Sequence, residues 1–180
     1  TTGSEGSRAR AGERGTFKRR APLAADMDED RRVADLSAVP DDATLLVTLR
    51  PVGDVADDTG DVGADETGDP EVEALLIRLS DGVAAYRNYC QHWTDVRLNK
   101  GDGGFVRNGE IFCRKHGATF ESDSGYCNFG PCEGATLDRV DVTAEDGAVY
   151  LTDDDYEFVR VGPAERDEEA GGSRIDFTGN

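Results

Sequence analysis

The chain contains only two histidines, and each stands close to a cysteine. Cys90 and His92 enclose one residue in "CQHW", and Cys113 and His116 enclose two in "CRKH". Twenty residues lie between the two pairs. Thiolate sulfur and neutral imidazole nitrogen are the donors that hold zinc and iron, so these four residues make a complete ligand set. An ordinary Cys2His2 zinc site draws both cysteines from one pair and both histidines from the other. Here each pair is mixed. A binuclear iron–sulfur centre with two Cys on one iron and two His on the other needs that mixture when each of two loops gives one ligand to each iron. At this point a cluster clamped between two loops and a small structural zinc domain both remain open.

The residues after the second pair narrow the choice. "CRKHGATFESDSGYCNFGPCEGATL" (113–137) resembles the second half of the Rieske motif: Cys-x2-His-Gly, an apolar aromatic, Ser/Asp-Gly, Gly-Pro and a return strand. The resemblance covers about residues 75–152. It implies an all-β, Rieske-type antiparallel β-sandwich or barrel with a small cluster-binding subdomain of two hairpin loops. It also implies a [2Fe–2S] cluster as cofactor, with Cys90, His92, Cys113 and His116 as its ligands. Gly117 then fits a close approach of backbone to the cluster, Phe120 packs beneath the loop, and Gly130-Pro131 matches the rigid proline loop that covers a third side. Trp93, beside a ligand histidine, either shields that site, forms a contact surface or belongs to the core.

The sequence departs from the respiratory-complex members of that family. Those carry an extra cysteine in each ligand loop, joined as a disulfide, and neither "CQHWTD" nor "CRKH" has one. They also place Ser and Tyr after the His-Gly, where this chain has Ala118 and Phe120, which donate no side-chain hydrogen bond. Fewer donors to cluster sulfur stabilise the reduced state less, so the resemblance implies a low potential for the class. It resembles the ferredoxin-type domain found free-standing, beside oxygenases or beside nitrite reductase. Cys127 and Cys132 flank the Gly-Pro loop. They read as small buried residues, as a local disulfide strapping that loop, or as replacement ligands, a role that four donors already fill.

Catalytic residues are expected to be none. A mononuclear iron oxygenase needs a further 2-His-1-carboxylate site, and both histidines are already assigned. Gly101, Gly103 and Gly104 are not set between strand and helix as a nucleotide fingerprint requires. The expectation is a one-electron carrier or electron-transfer subunit serving a reductase or oxygenase. A structural zinc domain and an iron–sulfur redox sensor are the alternatives. Between Arg87 and Lys115 six basic residues (Arg87, Arg97, Lys100, Arg107, Arg114, Lys115) face three acidic ones (Asp95, Asp102, Glu110), a basic island suited to an acidic partner.

The elements that must hold these loops read as short strands with tight turns. Residues 43–52 form an apolar, β-branched first strand. Residues 71–80 fit helix or strand by period, and the following Asp81-Gly82 favours a hairpin. Asn108-Gly109 within 105–113 is a type I′ turn signal. A third hairpin joins 135–143 to 147–152, and 156–161 adds an edge strand. No helix with clear caps is expected, beyond a turn at Leu98–Lys100.

Acidic residues outnumber basic ones 38 to 20, giving a net charge of −18, and the lysines are only Lys18, Lys100 and Lys115. Such a surface disfavours nucleic acid and anionic membranes, and it suits concentrated salt, where screening shortens to ~3 Å. The expectation is a halophilic, cytoplasmic protein from a haloarchaeal source. No run approaches the ~20 apolar residues of a membrane helix. Residues 1–26 carry a net +3, which leaves −21 for 27–180, and they read as a disordered basic leader with translation starting at Met27. The domain is expected over 27–161, with an acidic insertion at 53–70 and a disordered tail at 162–180.

Overall fold

A computed structural model describes residues 29–53, 62–64 (backbone only) and 70–165. The basic leader, the Met27 start and the tail beyond Glu165 lie outside the described residues. The strands are β1 (Arg32–Asp35), β2 (Leu45–Pro51), β3 (Val62–Ala64), β4 (Pro70–Leu79), β5 (Gly82–Arg87), β6 (Val106–Arg107) and β7 (Glu110–Phe112). There follow β8 (Thr119–Glu121), β9 (Cys127–Phe129), β10 (Arg139–Val140), β11 (Val142–Glu145), β12 (Ala148–Leu151) and β13 (Tyr156–Val161). The helical pieces among the described residues are two 3-10 turns, Glu29–Arg31 and Leu36–Ala38. The expected turn at Leu98–Lys100 does not form. Hydrogen bonds from Asn99 to Asn88 and Thr44 stretch that segment across the fold instead.

Three antiparallel sheets result. The central one runs β10-β5-β4-β2-β13, with β3 paired to β4. A three-stranded sheet, β1-β12-β11, covers one face and a four-stranded sheet, β6-β7-β8-β9, covers the other. Strand β4 explains the layering. Its residues from Glu71 to Ile77 are all buried. Leu75 and Ile77 join one apolar cluster with Val106, Ile111 and Phe120, whereas Val72, Ala74 and Leu76 join another with Val33, Val149 and Leu151. A strand covered on both faces loses its polar alternation, which is why period alone could not separate helix from strand at 71–80.

Turn chemistry fixes the hairpins. Asn108 (φ 54°) and Gly109 (φ 77°) both have positive φ, as do Asp146 (φ 48°) and Gly147 (φ 80°), the condition for a type I′ turn. In the β4–β5 hairpin Leu79 pairs with Gly82, so the loop is Ser80-Asp81 and Gly82 opens the strand. Residues 135–143 do not make one strand. The segment divides at Asp141: β10 pairs with β5, and β11 pairs with β12 in a different sheet. Strand β1 precedes the expected first strand, and its two apolar residues, Val33 and Ala34, between charged Arg32 and Asp35 gave no apolar period. Within the acidic insertion, β3 is a paired strand.

Packing also continues past Val161. The Gly162 amide donates to Leu46 O (2.8 Å), the Ala164 amide to Glu73 Oε1 (3.2 Å) and the Glu165 amide to Glu71 Oε2 (3.0 Å). This strap has no apolar period because buried carboxylates hold it.

Candidate metal centre

Two loops meet at the outer end of the small sheet. The first runs from β5 to β6 and links the central sheet to the small one. Its tip is folded by Cys90 N–H to Val96 O (2.9 Å), Trp93 N–H to Cys90 O (3.1 Å) and Val96 N–H to Trp93 O (2.9 Å). The second is the β7–β8 hairpin loop, closed by Cys113 N–H to Ala118 O (2.8 Å) and Gly117 N–H to Cys113 O (3.0 Å). Gly117 adopts φ 77°, and beyond its two chain neighbours no protein atom lies within 4 Å of where its Cβ would stand. Its backbone conformation, rather than crowding by protein, calls for glycine here.

The loops bring all four sequence-expected donors together, as two pairs. Cys90 and Cys113 are buried in the same apolar cluster. Their mutual interaction raises Cys90 and lowers Cys113 to about 6, while burial pushes both upward. His92 and His116 are exposed, with their Nδ1 atoms 3.2 Å apart and their rings edge to face. Among the described residues no single point gathers three or more His, Cys, Asp or Glu donors. A tetrahedral zinc ion needs four donors at one point. A buried thiol pair and a separate exposed imidazole pair instead suit two irons, one per pair. The Nε2 of Gln91, between Cys90 and His92, is buried without a protein partner and remains open to an acceptor.

The residues expected around the donors fall into place unevenly. Phe120 is fully buried in the apolar cluster that contains both thiols. Trp93 is not a core residue. It is 50% exposed, stacks on the His116 ring (5.9 Å, 11°) and lies under Lys115 Nζ (5.8 Å). Gly130 makes the close approach: a Cβ there would stand 2.7 Å from Ala118 Cα. Its neighbour Pro131 is exposed. Cys127 and Cys132 are free thiols with sulfurs 3.1 Å apart, and burial, then Cys132, pushes Cys127 up to about 12.

One supporting network was not anticipated from sequence. The fully buried Glu73 on β4 accepts from Asn88 Nδ2 (2.8 Å), Arg97 Nη1 (3.4 Å) and the Ala164 amide (3.2 Å). Asn88 in turn bonds the Asn99 backbone at both N and O, and Asn99 Nδ2 donates to Thr44 Oγ1 (2.8 Å). Both ends of the first ligand loop are thereby tied to β4 and to the edge of β2. The legible signal was a pair of carboxylates, Glu71 and Glu73, on one face of a largely apolar strand. Glu71 is held bidentately by Arg160 (2.9 and 2.6 Å).

The basic island is narrower than the sequence suggested. Arg87 is buried and bonds the Tyr156 hydroxyl. Arg107 lies on the β6–β7 hairpin. Arg97, Lys100, Arg114 and Lys115 line one surface pocket of about 180 Å³ beside the ligand loops, with Asp102. Arg114 pairs with Asp102 at 2.8 Å, which holds that carboxyl below its usual range.

An antiparallel β-sandwich presenting two thiols and two imidazoles from facing loops defines a candidate metalloprotein. The family model for the Rieske [2Fe-2S] domain matches residues 47–151, so the chain belongs to that family, whose cofactor is a [2Fe–2S] cluster. No curated protein sequence matches it. Among solved structures it is similar to the ferredoxin of Sphingomonas yanoikuyae B1 (19% identity, 67% of this chain and 94% of that chain covered, TM-score 0.45). It is also similar to the ferredoxin of carbazole 1,9a-dioxygenase from Nocardioides aromaticivorans IC177 (22%, 68% and 95%, 0.46). A third similar structure is the terminal oxygenase of carbazole 1,9a-dioxygenase from Novosphingobium sp. KA1 (19%, 81% and 34%, 0.42). Among the described residues no helix is long and apolar enough to cross a membrane.

Proposed function

We propose that this chain is a ferredoxin-like one-electron carrier, or the electron-transfer component of an oxygenase or reductase system, and not itself a catalyst. In this reading Cys90 and Cys113 hold one iron, and His92 and His116 hold the other through Nδ1. The observation that carries it is the division of the donors into a buried thiol pair and an exposed imidazole pair. The bound cluster supplies one-electron redox chemistry. The apolar cluster around the two thiols excludes water from the sulfur end. The exposed histidines, with Trp93 stacked on His116, are the part of the site a partner can touch. Arg97, Lys100, Arg114 and Lys115 beside them favour an acidic docking face on that partner.

The other features concern setting. A net charge of −18 with three lysines supports a halophilic protein of haloarchaeal type, and cysteines read as metal ligands rather than disulfides support a reducing cytoplasm. The deciding experiment is iron and acid-labile sulfide analysis of native protein purified anaerobically, with visible absorption and EPR after reduction. Two irons and two sulfides per chain with a reducible EPR signal are expected. A colourless chain holding one zinc would overturn the reading.

A further inference from the structure

Cys127 and Cys132 take no part in the four-donor set, yet their Sγ atoms are 3.1 Å apart. A disulfide bond is ~2.05 Å long, so closing one needs only a small side-chain movement. The backbone from Cys127 to Ala135 is already folded back on itself. Cys127 N–H donates to Ala135 O (2.8 Å), Gly134 N–H to Cys127 O (2.9 Å) and Ala135 N–H to Cys132 O (2.9 Å). Access is unequal. Cys127 is 0% exposed, while Cys132 is 9% exposed and lies between exposed Pro131 and Glu133. A reagent from solvent meets Cys132 first.

We propose that Cys127 and Cys132 form a reversible dithiol site, oxidised to an intraloop disulfide by small disulfides of the glutathione class. The Cys132 thiolate attacks one sulfur of the small disulfide, forming a mixed disulfide and releasing one thiol. Cys127 then attacks the Cys132 sulfur and releases the second thiol. The protein pair gives up two electrons and two protons, and the small disulfide takes them up as two thiols. The new bond closes the base of the loop whose Gly130 lies against Ala118, two residues beyond His116. Oxidation thus latches the segment covering the second ligand loop.

The test treats reduced, fully loaded protein with oxidised glutathione under anaerobic conditions, followed by acid quench and peptide mapping. The expected result is a Cys127–Cys132 link, two glutathione thiols released per chain, an unchanged visible spectrum, and reversal by dithiothreitol. Cys127→Ser should stop at a stable mixed disulfide on Cys132, and Cys132→Ser should react far more slowly than the wild type. The proposal fails if the folded wild type does not react while urea-unfolded chain does. It also fails if the mixed disulfide on wild type never resolves, or if the new link includes Cys90 or Cys113. The wild-type mapping decides the matter even where a serine variant does not fold.

Discussion

His92 Nδ1 and His116 Nδ1 stand 3.2 Å apart, although the two residues are 24 positions apart along the chain. Two imidazole nitrogens at that distance can share a hydrogen bond or, in the proposed reading, one iron. Replacing either histidine by alanine should abolish the visible chromophore and leave the chain without acid-labile sulfide. Trp93→Ala should leave cluster content unchanged, because the indole stacks on the ring and supplies no donor. Metal and sulfide analysis of the three variants checks both outcomes.

Glu73 anchors the first ligand loop through Asn88 and, by way of Ala164, the strap that follows β13. Glu73→Ala removes the carboxylate that accepts from Asn88 Nδ2, Arg97 and the Ala164 amide and should cost about 2–3 kcal/mol, the scale of lost hydrogen bonds to a charged group. Glu73→Gln, which keeps the shape and one acceptor, should lose less. Urea midpoints at unchanged slope measure the difference.

Ala118 and Phe120 are fully buried and offer no hydroxyl. Redox titration should therefore place the potential in the lower part of the Rieske range of about −150 to +300 mV. Phe120→Tyr should raise it if the new hydroxyl reaches cluster sulfur. A wild-type value near the top of the range would contradict the donor count.

Tyr86, fully buried against Gly125, is pushed from 10.0 to about 12, chiefly by burial. The folded chain keeps that proton where the unfolded chain releases it. Its contribution to stability is thus complete below pH 10.0 and is lost as pH rises toward about 12. Tyr86→Phe should flatten that alkaline decline in urea midpoints.

The acidic surface should make compactness depend on salt. Dialysis from molar to millimolar salt should increase the hydrodynamic radius and lower the unfolding midpoint. Full stability at low salt would remove the halophilic reading.

Much of the site was legible because ligand chemistry is local. Cys90, His92, Cys113 and His116 announce themselves by residue type and spacing, and Asn108-Gly109 announces its turn by the need for positive φ at both positions. Strand β1 and the division at Asp141 were not legible, since pairing partners across sheets leave no periodic mark on two to four residues.

What the sequence alone determined was the all-β character, the hairpin turns and which four residues are candidate donors, each a property of a few adjacent residues. Tertiary structure decided which donors are buried and which exposed, that Trp93 covers a histidine, and that Glu73 fixes the loop carrying Cys90. It also set Cys127 against Cys132. Those outcomes depend on which face of β4 a side chain occupies and on what the other sheets lay against it, and no local spacing encodes that.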